Sequence, residues 1–343
     1  MKTTMLITGG AGFIGANASL YFARRGWQVT VYDNLSRRGA DANMEWLRRQ
    51  VPVDLIRDDI RDRAAVERAM RDLRADVVLH LAAQVAVTTS VANPREDFEI
   101  NALGTFNVLE AVREHSPESF FINASTNKVY GKMEHVGIEE RNGRYEYRDL
   151  PQGVDEEQTL DFHSPYGCSK GVADQYTIDY ARIYGLRSVT FRQSCIYGPR
   201  QFGIEDQGWV AWFTIAAMLG KTITIYGDGK QIRDVLHVDD LVRAYEAAIE
   251  RQGQTNGQAF NIGGGPGNTM SLQELIAYLE AEYGRKISLI RSDWRPGDQL
   301  VFVCDTGKAR RMLGWSPKIG VRDGVRQLAR WVSGNGELFA WME

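Results

Sequence analysis

Short apolar runs punctuate the first half of the chain at a regular interval. They are TMLIT (4–8), QVTVY (28–32), VDLI (53–56), DVVLHL (76–81) and SFFIN (119–123); SVTFR (188–192) and QAFNI (258–262) continue the series. Runs that are apolar throughout, rather than at alternate positions, predict strands buried on both faces. Stretches near 13–25, 63–74, 103–115 and 166–184 read as helices between or after them. Strand–helix–strand alternation at this spacing predicts an α/β fold built on a doubly wound parallel sheet.

Two kinds of stretch break the rhythm. Residues 131–161 are polar and turn-rich and predict a long insertion or lid. Residues 198–235 and 264–320 hold Gly/Pro clusters, aromatics and basic residues, and predict a smaller lobe closing over the carboxyl edge of the sheet. A length of 343 residues suits such a two-lobed chain. The division expected is 1–192 with 236–263 for the sheet, and 193–235 with 264–343 for the smaller, C-terminal substrate-binding lobe.

Composition narrows the function classes. A net charge of −3 gives no general footprint for nucleic acid or membrane. No charged-then-apolar leader precedes the first run and no apolar run approaches 18 residues, so neither secretion nor a membrane span is expected. Cys168, Cys195 and Cys304 are odd in number and widely spaced, which suits a reducing cytoplasm. The five histidines lack metal-site spacing, so no metal is expected.

After the first predicted strand comes TGGAGFIGANASLYFARRG, in which Gly9, Gly12 and Gly15 lie three apart; Gly10, Gly12 and Gly15 also satisfy GxGxxG. Glycines here permit a tight turn and close approach of a pyrophosphate to the backbone. The helix that follows, through Phe13 and Ile14, offers unpaired N–H groups to that anion. The strand-then-helix context makes this a Rossmann dinucleotide fingerprint rather than turn punctuation. Asp33 ends the second strand, 18 residues past Gly15, where a carboxylate accepts from a ribose hydroxyl and repels a 2′-phosphate. The cofactor expected is therefore NAD, although Arg37 and Arg38 lie nearby. Asn34, Asp59, Ile60, Leu81, Ala82, Ala83, Gln84 and Asn101 complete the expected cofactor set by their places after strands and at a helix start. A cap or packing role would account for any of them singly.

Tyr166 and Lys170 are four apart in DFHSPYGCSKGVADQY and share a face if the segment is helical. A phenol near pKa 10 becomes a useful base beside an ammonium and a cationic nicotinamide, so Tyr166 can take a proton from a sugar hydroxyl while carbon gives hydride to NAD. Lys170 can also hold the nicotinamide ribose. Thr126, just past a strand's carboxyl end in NASTNKVYG, can bond the same hydroxyl, and Asn127 and Lys128 follow it toward the substrate. Arg233 and Arg295 are candidate bidentate donors for a diphosphate. Asp298 is expected to orient Arg295 or to touch the nucleotide ribose, and Gln193, Arg200, Gln201, Gln207 and Trp209 are expected to face the substrate. His163 reads as a cap or loop residue, and Cys168 as packing.

Gly9/Gly12/Gly15, Thr126, VYG (129–131), SPYGCSK (164–170) and RDVLHVDD (233–240) together resemble the extended short-chain dehydrogenase/reductases that modify nucleotide sugars, over essentially the whole chain. QVAVTTSVANP (84–94), STNKVYG (125–131), LDFHSPYGCSKGVADQY (160–176) and RQFGIEDQGWVAWF (200–213) resemble a branch that inverts carbon 2 of a CDP-sugar. Gln193 stands where that branch leads one to expect histidine. The resemblance implies Thr126, Tyr166 and Lys170 as the catalytic trio. It further implies tightly held, recycled NAD, diphosphate contacts from Arg233 and Arg295, and a homodimer or homotetramer. In the 4,6-dehydratase branch an Asp-Glu pair follows the threonine, where Asn127 and Lys128 stand here.

Dehydration is thus disfavoured, and two rivals stay open: a UDP-sugar 4-epimerase and a non-catalytic NAD-sensing module. The intact trio argues against the sensor. A ketone at carbon 4 would acidify carbons 3 and 5 but not carbon 2. The economical route to carbon 2 is its direct oxidation, rotation of the 2-keto sugar, and re-reduction on the opposite face.

Overall fold

The computed structural model describes residues 2–295 and 299–342. Seven strands form the main sheet: β1 (Thr4–Thr8), β2 (Gln28–Tyr32), β3 (Asp54–Ile56), β4 (Val77–His80), β5 (Phe120–Thr126), β6 (Ser188–Gln193) and β7 (Gln258–Ile262). Every pairing is parallel and the order is β7-β6-β5-β4-β1-β2-β3. Both faces are covered, which is why the runs are apolar throughout. Met5 and Ile7 pack with Phe22 of the helix Phe13–Arg24 and Leu241 of the helix Val238–Glu250. Leu6 and Phe121 point the other way, onto Val66, Val108 and Tyr180 of the helices Arg63–Leu73, Gly104–His115 and Ser164–Tyr184.

The chain winds outward from β1 in both directions. Its topological switch lies between β1 and β4, and the crevice at their carboxyl ends is where such sheets bind ligands.

Two departures from the sequence expectation have local causes. The strand expected over 119–123 runs on to Thr126, because its polar end is satisfied internally: Asn123 donates to Thr190 (3.1 Å) and Ser125 to Asp174 (2.7 Å). The helix Ala40–Gln50 was not expected; its buried stripe of Ala40, Asn43, Met44 and Leu47 has helical spacing but includes an amide. Asn43 is buried because its Nδ2 donates to the carbonyls of Ala11 (3.2 Å) and Arg200 (3.3 Å).

Residues 131–161 form the insertion expected there, with regular structure of their own. They carry an antiparallel hairpin, Ile138–Arg141 with Arg144–Tyr147, turned at Asn142 and Gly143, both at positive φ. Tyr145 donates to Asp228 (2.7 Å) and Tyr147 to the Val301 carbonyl (3.0 Å), which docks the hairpin on the smaller sheet.

Most of the remaining elements have their own core; the helix Gly307–Leu313, expected in the smaller lobe, instead packs Ala309 and Leu313 with Phe260 of β7 in the core of the main sheet. Ile232–His237 pairs with Cys195–Tyr197, Thr269–Ser271 and Val301–Phe302, and Ile223–Tyr226 pairs with Leu289–Ser292. Phe213, Leu275 and Leu328, from the helices Trp209–Met218, Leu272–Tyr283 and Val321–Ser333, pack with Ile225 beneath them.

Candidate functional site

The glycine loop leaves β1 at the crevice. Gly9 has φ +68°, and a Cβ there would lie 2.7 Å from the Ala82 nitrogen. At Gly15 a Cβ would lie 2.3 Å from the Gly9 carbonyl, so loop and helix touch backbone to backbone. Gly12 precedes the helix Phe13–Arg24 without a side-chain cap, leaving its first N–H groups for an anion. Asp33 accepts from the N–H groups of Ala11 (3.0 Å) and Leu35 (2.8 Å). Burial pushes its carboxyl above the usual carboxylate range, against these N–H groups and that of Gly12.

A cleft of about 240 Å³ runs from here along the strand ends. Gly9, Gly12, Phe13, Ile14, Gly15 and Asp33 line one end, and Asn34, Asp59, Ile60, Leu81, Ala82 and Ala83 continue it. Asn34 donates to Asp59 (2.8 Å), and hydrogen bonds from Arg61 hold the Asp59 carboxyl down to about 2. The glycine cradle, the uncapped helix end and the Asp33 carboxylate lining the cleft fit the dinucleotide expected.

Gln84 and Asn101 are a correction: they brace the wall from behind and do not line this cleft. Asn101 is fully buried in the π-turn Glu99–Leu103; its Oδ1 accepts from the Gln84 N–H (2.9 Å) and its Nδ2 donates to the Gln84 carbonyl (3.0 Å).

A second cavity of about 380 Å³ adjoins the cleft and reaches toward the smaller sheet. Tyr166 lines both spaces, with Thr126 on the outer side and Lys170 on the cofactor side. The helix Ser164–Tyr184 presents the phenol and the ammonium one turn apart, and Pro165 sits in its first turn, where no N–H is needed. Tyr166 and Thr126 both line the outer cavity, where the Thr126 hydroxyl donates to Asn127 Oδ1 (3.3 Å) and favours the phenolate. Burial pushes the Tyr166 phenol up to about 12; the Thr126 hydroxyl and the Arg37 guanidinium pull the other way, and the Asp97 carboxylate adds to the rise. Lys170 Nζ donates to the Ala124 carbonyl (2.6 Å), and burial pulls its pKa down to about 8 against the Asp174 and Asp97 carboxylates.

Around the outer cavity, Gln193 pairs in register with Thr126, faces both spaces and donates to the Tyr245 hydroxyl (2.7 Å). Asn127, Lys128, Gln201, Gln207, Trp209 and Arg233 also line the outer cavity. Lys128 Nζ donates to Gln299 (3.0 Å). Gln201 keeps a buried Oε1 with no protein partner. Arg295 lies 3.9 Å above the Tyr226 ring and pairs with Asp206 (3.1 Å).

Asp298 lies outside the described residues. Arg200 is a further correction: it is buried with its guanidinium 4.1 Å over Trp46, away from the cavity lining, because the loop turns there at φ +72°. His163 precedes the helix with no capping bond from its side chain, and Cys168 is exposed rather than packed.

Sequence reasoning missed Ser125, Tyr226, Glu205 and Asp206 in the lining, and the reach of Arg37 across the cofactor cleft, where it donates to Gln207 (2.5 Å). Only the aromatic before GDG (227–229) offered a signal; Ser125 lies on the polar end of β5, and Glu205, Asp206 and Arg37 are loop residues placed by tertiary contacts.

A family model described as GDP-mannose 4,6 dehydratase matches residues 6–328. CDP-paratose 2-epimerase of Salmonella typhi is 46% identical over 334 residues, covering 96% of this chain and 99% of that protein. The UDP-glucose 4-epimerase of Thermus thermophilus, solved in complex with NAD, superposes with a TM-score of 0.81 at 32% identity, covering 97% of this chain and 100% of that one. The dTDP-glucose 4,6-dehydratase DesIV of Streptomyces venezuelae, solved with NAD bound, gives a TM-score of 0.84 at 27% identity, covering 99% and 100%.

Proposed function

The chain belongs to the GDP-mannose 4,6 dehydratase family of the extended short-chain dehydrogenase/reductases, and we propose that it epimerises a nucleotide sugar at carbon 2, of the CDP-paratose to CDP-tyvelose type, with NAD as resident cofactor. The observation that carries the chemistry is Tyr166, placed with Thr126 at the junction of a dinucleotide cleft and a substrate-sized cavity. The 46% identity over nearly the whole chain to CDP-paratose 2-epimerase supports carbon 2 and the CDP-sugar.

NAD, when bound, accepts hydride from the sugar carbon and returns it. Tyr166 takes the hydroxyl proton in the first half-reaction and gives it back in the second, so one residue serves as base and then as acid. Thr126 holds the reacting oxygen in line with the phenol. The Lys170 ammonium stabilises the phenolate and holds the nicotinamide ribose. Between the halves the 2-keto sugar turns over, and Arg233 and Arg295 anchor the diphosphate.

Dehydration would need a further acid and base beside the threonine. An amide and an ammonium stand there, and the carboxylates lining the cavity among the described residues, Glu205 and Asp206, lie on the loop that meets Arg295. A UDP-sugar 4-epimerase would use the same trio, and the Thermus structure is a relative of that kind. Turnover of CDP-, UDP-, dTDP- and GDP-sugars, with product stereochemistry read carbon by carbon, separates the readings: inversion at carbon 2 of a CDP-sugar is expected, and inversion at carbon 4 overturns the assignment.

The same reading includes a homo-oligomer. Leu103, Phe106, Tyr176, Ile183 and Tyr184 stand exposed on or beside the adjacent helices Gly104–His115 and Ser164–Tyr184. A second copy applying the same face across a two-fold would cover them. Light scattering should return at least twice the 38.6 kDa chain mass, and a monomer would refute it. Three free thiols suit a reducing compartment, and no helix among the described residues is long and apolar enough to cross a membrane; the cytoplasm is the compartment we assign.

A further inference from the structure

Asp97 is fully buried and takes no part in the chemistry above. It lies on the short helix Pro94–Phe98, packed under the helix Ser164–Tyr184. Its carboxylate receives Ser169 Oγ (2.5 Å), Gln84 Nε2 (2.9 Å) and Asn101 Nδ2 (3.1 Å). The two amides are oriented by backbone groups that can only donate: Gln84 Oε1 accepts from the Ala86 N–H, and Asn101 Oδ1 from the Gln84 N–H. Their NH₂ groups therefore face Asp97. Burial pushes the Asp97 carboxyl above the usual carboxylate range, but the two amide donors and the Ser169 hydroxyl favour its charged form, which would sit against Ser169, the residue before the catalytic lysine.

We propose that Asp97 is the counter-ion of the catalytic pair: its buried charge holds Lys170 protonated and sets the pH range over which Tyr166 exchanges protons with the substrate. The inference rests on the reading of Tyr166 and Lys170 given above.

The other charged and titratable groups around the pair do not supply this role. Asp174, one turn along the same helix, favours protonated Lys170 more strongly than Asp97 does, but it is bound at both oxygens by Arg192 from β6 (3.0 and 3.1 Å) and does not act on Tyr166. His80, at the end of β4, is held neutral by burial, its pKa down to about 3. Arg37 reaches Tyr166 only from across the cofactor cleft, a cation rather than an anion. On the Pro94–Phe98 helix, Arg95 pairs with Glu99 in solvent (3.2 Å). Asp97 alone among these is an anion with no cation bonded to it, and its field acts on Lys170 and Tyr166 together. It also ties the Gln84 loop, behind the cofactor wall, to the turn that carries Lys170.

The test is the pH profile of kcat for NAD-loaded wild type, Asp97→Asn and Asp97→Glu. Losing the anion disfavours the protonated forms of both Lys170 and Tyr166. Both limbs of the bell should then move toward acid by roughly half to one pH unit in Asp97→Asn. Asp97→Glu keeps the charge, so its limbs should stay in place even if its kcat falls. A profile for Asp97→Asn that superimposes on wild type, or an equal shift in both variants, overturns the proposal and leaves only a structural role. If Asp97→Asn does not fold, carboxyl ¹³C NMR of NAD-loaded wild type decides instead. Asp97 ionised throughout the active range supports the proposal, and a protonated Asp97 overturns it. Failure of the underlying reading looks different: wild type would turn over no nucleotide sugar at all.

Discussion

Tyr166→Phe removes one oxygen from a side chain that is only 7% exposed, leaves the ring packing intact, and should stop the reaction. The magnitude follows from the site. Burial lifts the phenol to about 12, so in an assay near pH 8 only about one molecule in 10⁴ would carry the phenolate before cofactor and substrate bind. At 1.36 kcal/mol per unit, bringing the phenol down to the assay pH requires roughly 5 kcal/mol of stabilisation of the anion. In the proposed mechanism the Lys170 ammonium and the positive ring of the bound cofactor supply it, beside the Arg37 guanidinium and Thr126 hydroxyl that already pull the phenol down.

The base is the charged form, so activity must rise with pH through the phenol's pKa in the loaded enzyme and be lost below it. The assay is steady-state turnover with bound NAD quantified in parallel. Tyr166→Phe should lose a factor of about 10² to 10⁴ in kcat at unchanged NAD content, and its residual rate should lack the acid limb. A variant retaining more than about a tenth of wild-type kcat, or one that keeps the acid limb, would refute the assignment of Tyr166 as the proton acceptor.

Three further outcomes follow from the same geometry. Asp33→Asn keeps the shape of the ribose site but removes the charge, so NAD released from purified protein should fall and NADP use should rise; unchanged discrimination would contradict the ribose role. Arg233→Ala should raise the KM for the nucleotide sugar by about tenfold or more at constant NAD content, by loss of a charge-assisted contact; equal loss of both ligands would indicate misfolding instead. Arg192→Met strips the cation from buried Asp174, leaving Ser125 and a neighbouring glutamine amide on that carboxylate, and should lower stability by about 3–5 kcal/mol in denaturant titration. A change below about 1 kcal/mol would show that the pair is not the brace it resembles.

The parts legible in the sequence were those where backbone conformation or local spacing dictates residue type. The glycines of the first loop have no room for a Cβ at Gly9 or Gly15, and the Tyr166–Lys170 interval is one helical turn. Strands were readable where both faces are apolar. Reading failed where polar residues are buried by partners distant in sequence. Asn43 hides a helix because its amide is satisfied by Ala11 and Arg200, and Asn123 and Ser125 hide the end of β5 because Thr190 and Asp174 satisfy them. Position alone points Gln84 and Asn101 at the cofactor, yet their side chains turn inward to Asp97, a residue no local pattern marks. Arg200 reads as a loop cation for the substrate, and packs instead on an aromatic that lies more than 150 positions away in the chain.

In the proposed mechanism carbon 2 itself is oxidised and re-reduced without exchange with water. Turnover in ordinary water of a CDP-sugar bearing deuterium at carbon 2 addresses it directly. The account predicts a primary isotope effect on kcat and full retention of deuterium at carbon 2 of the inverted product. Loss of the label to solvent would contradict it.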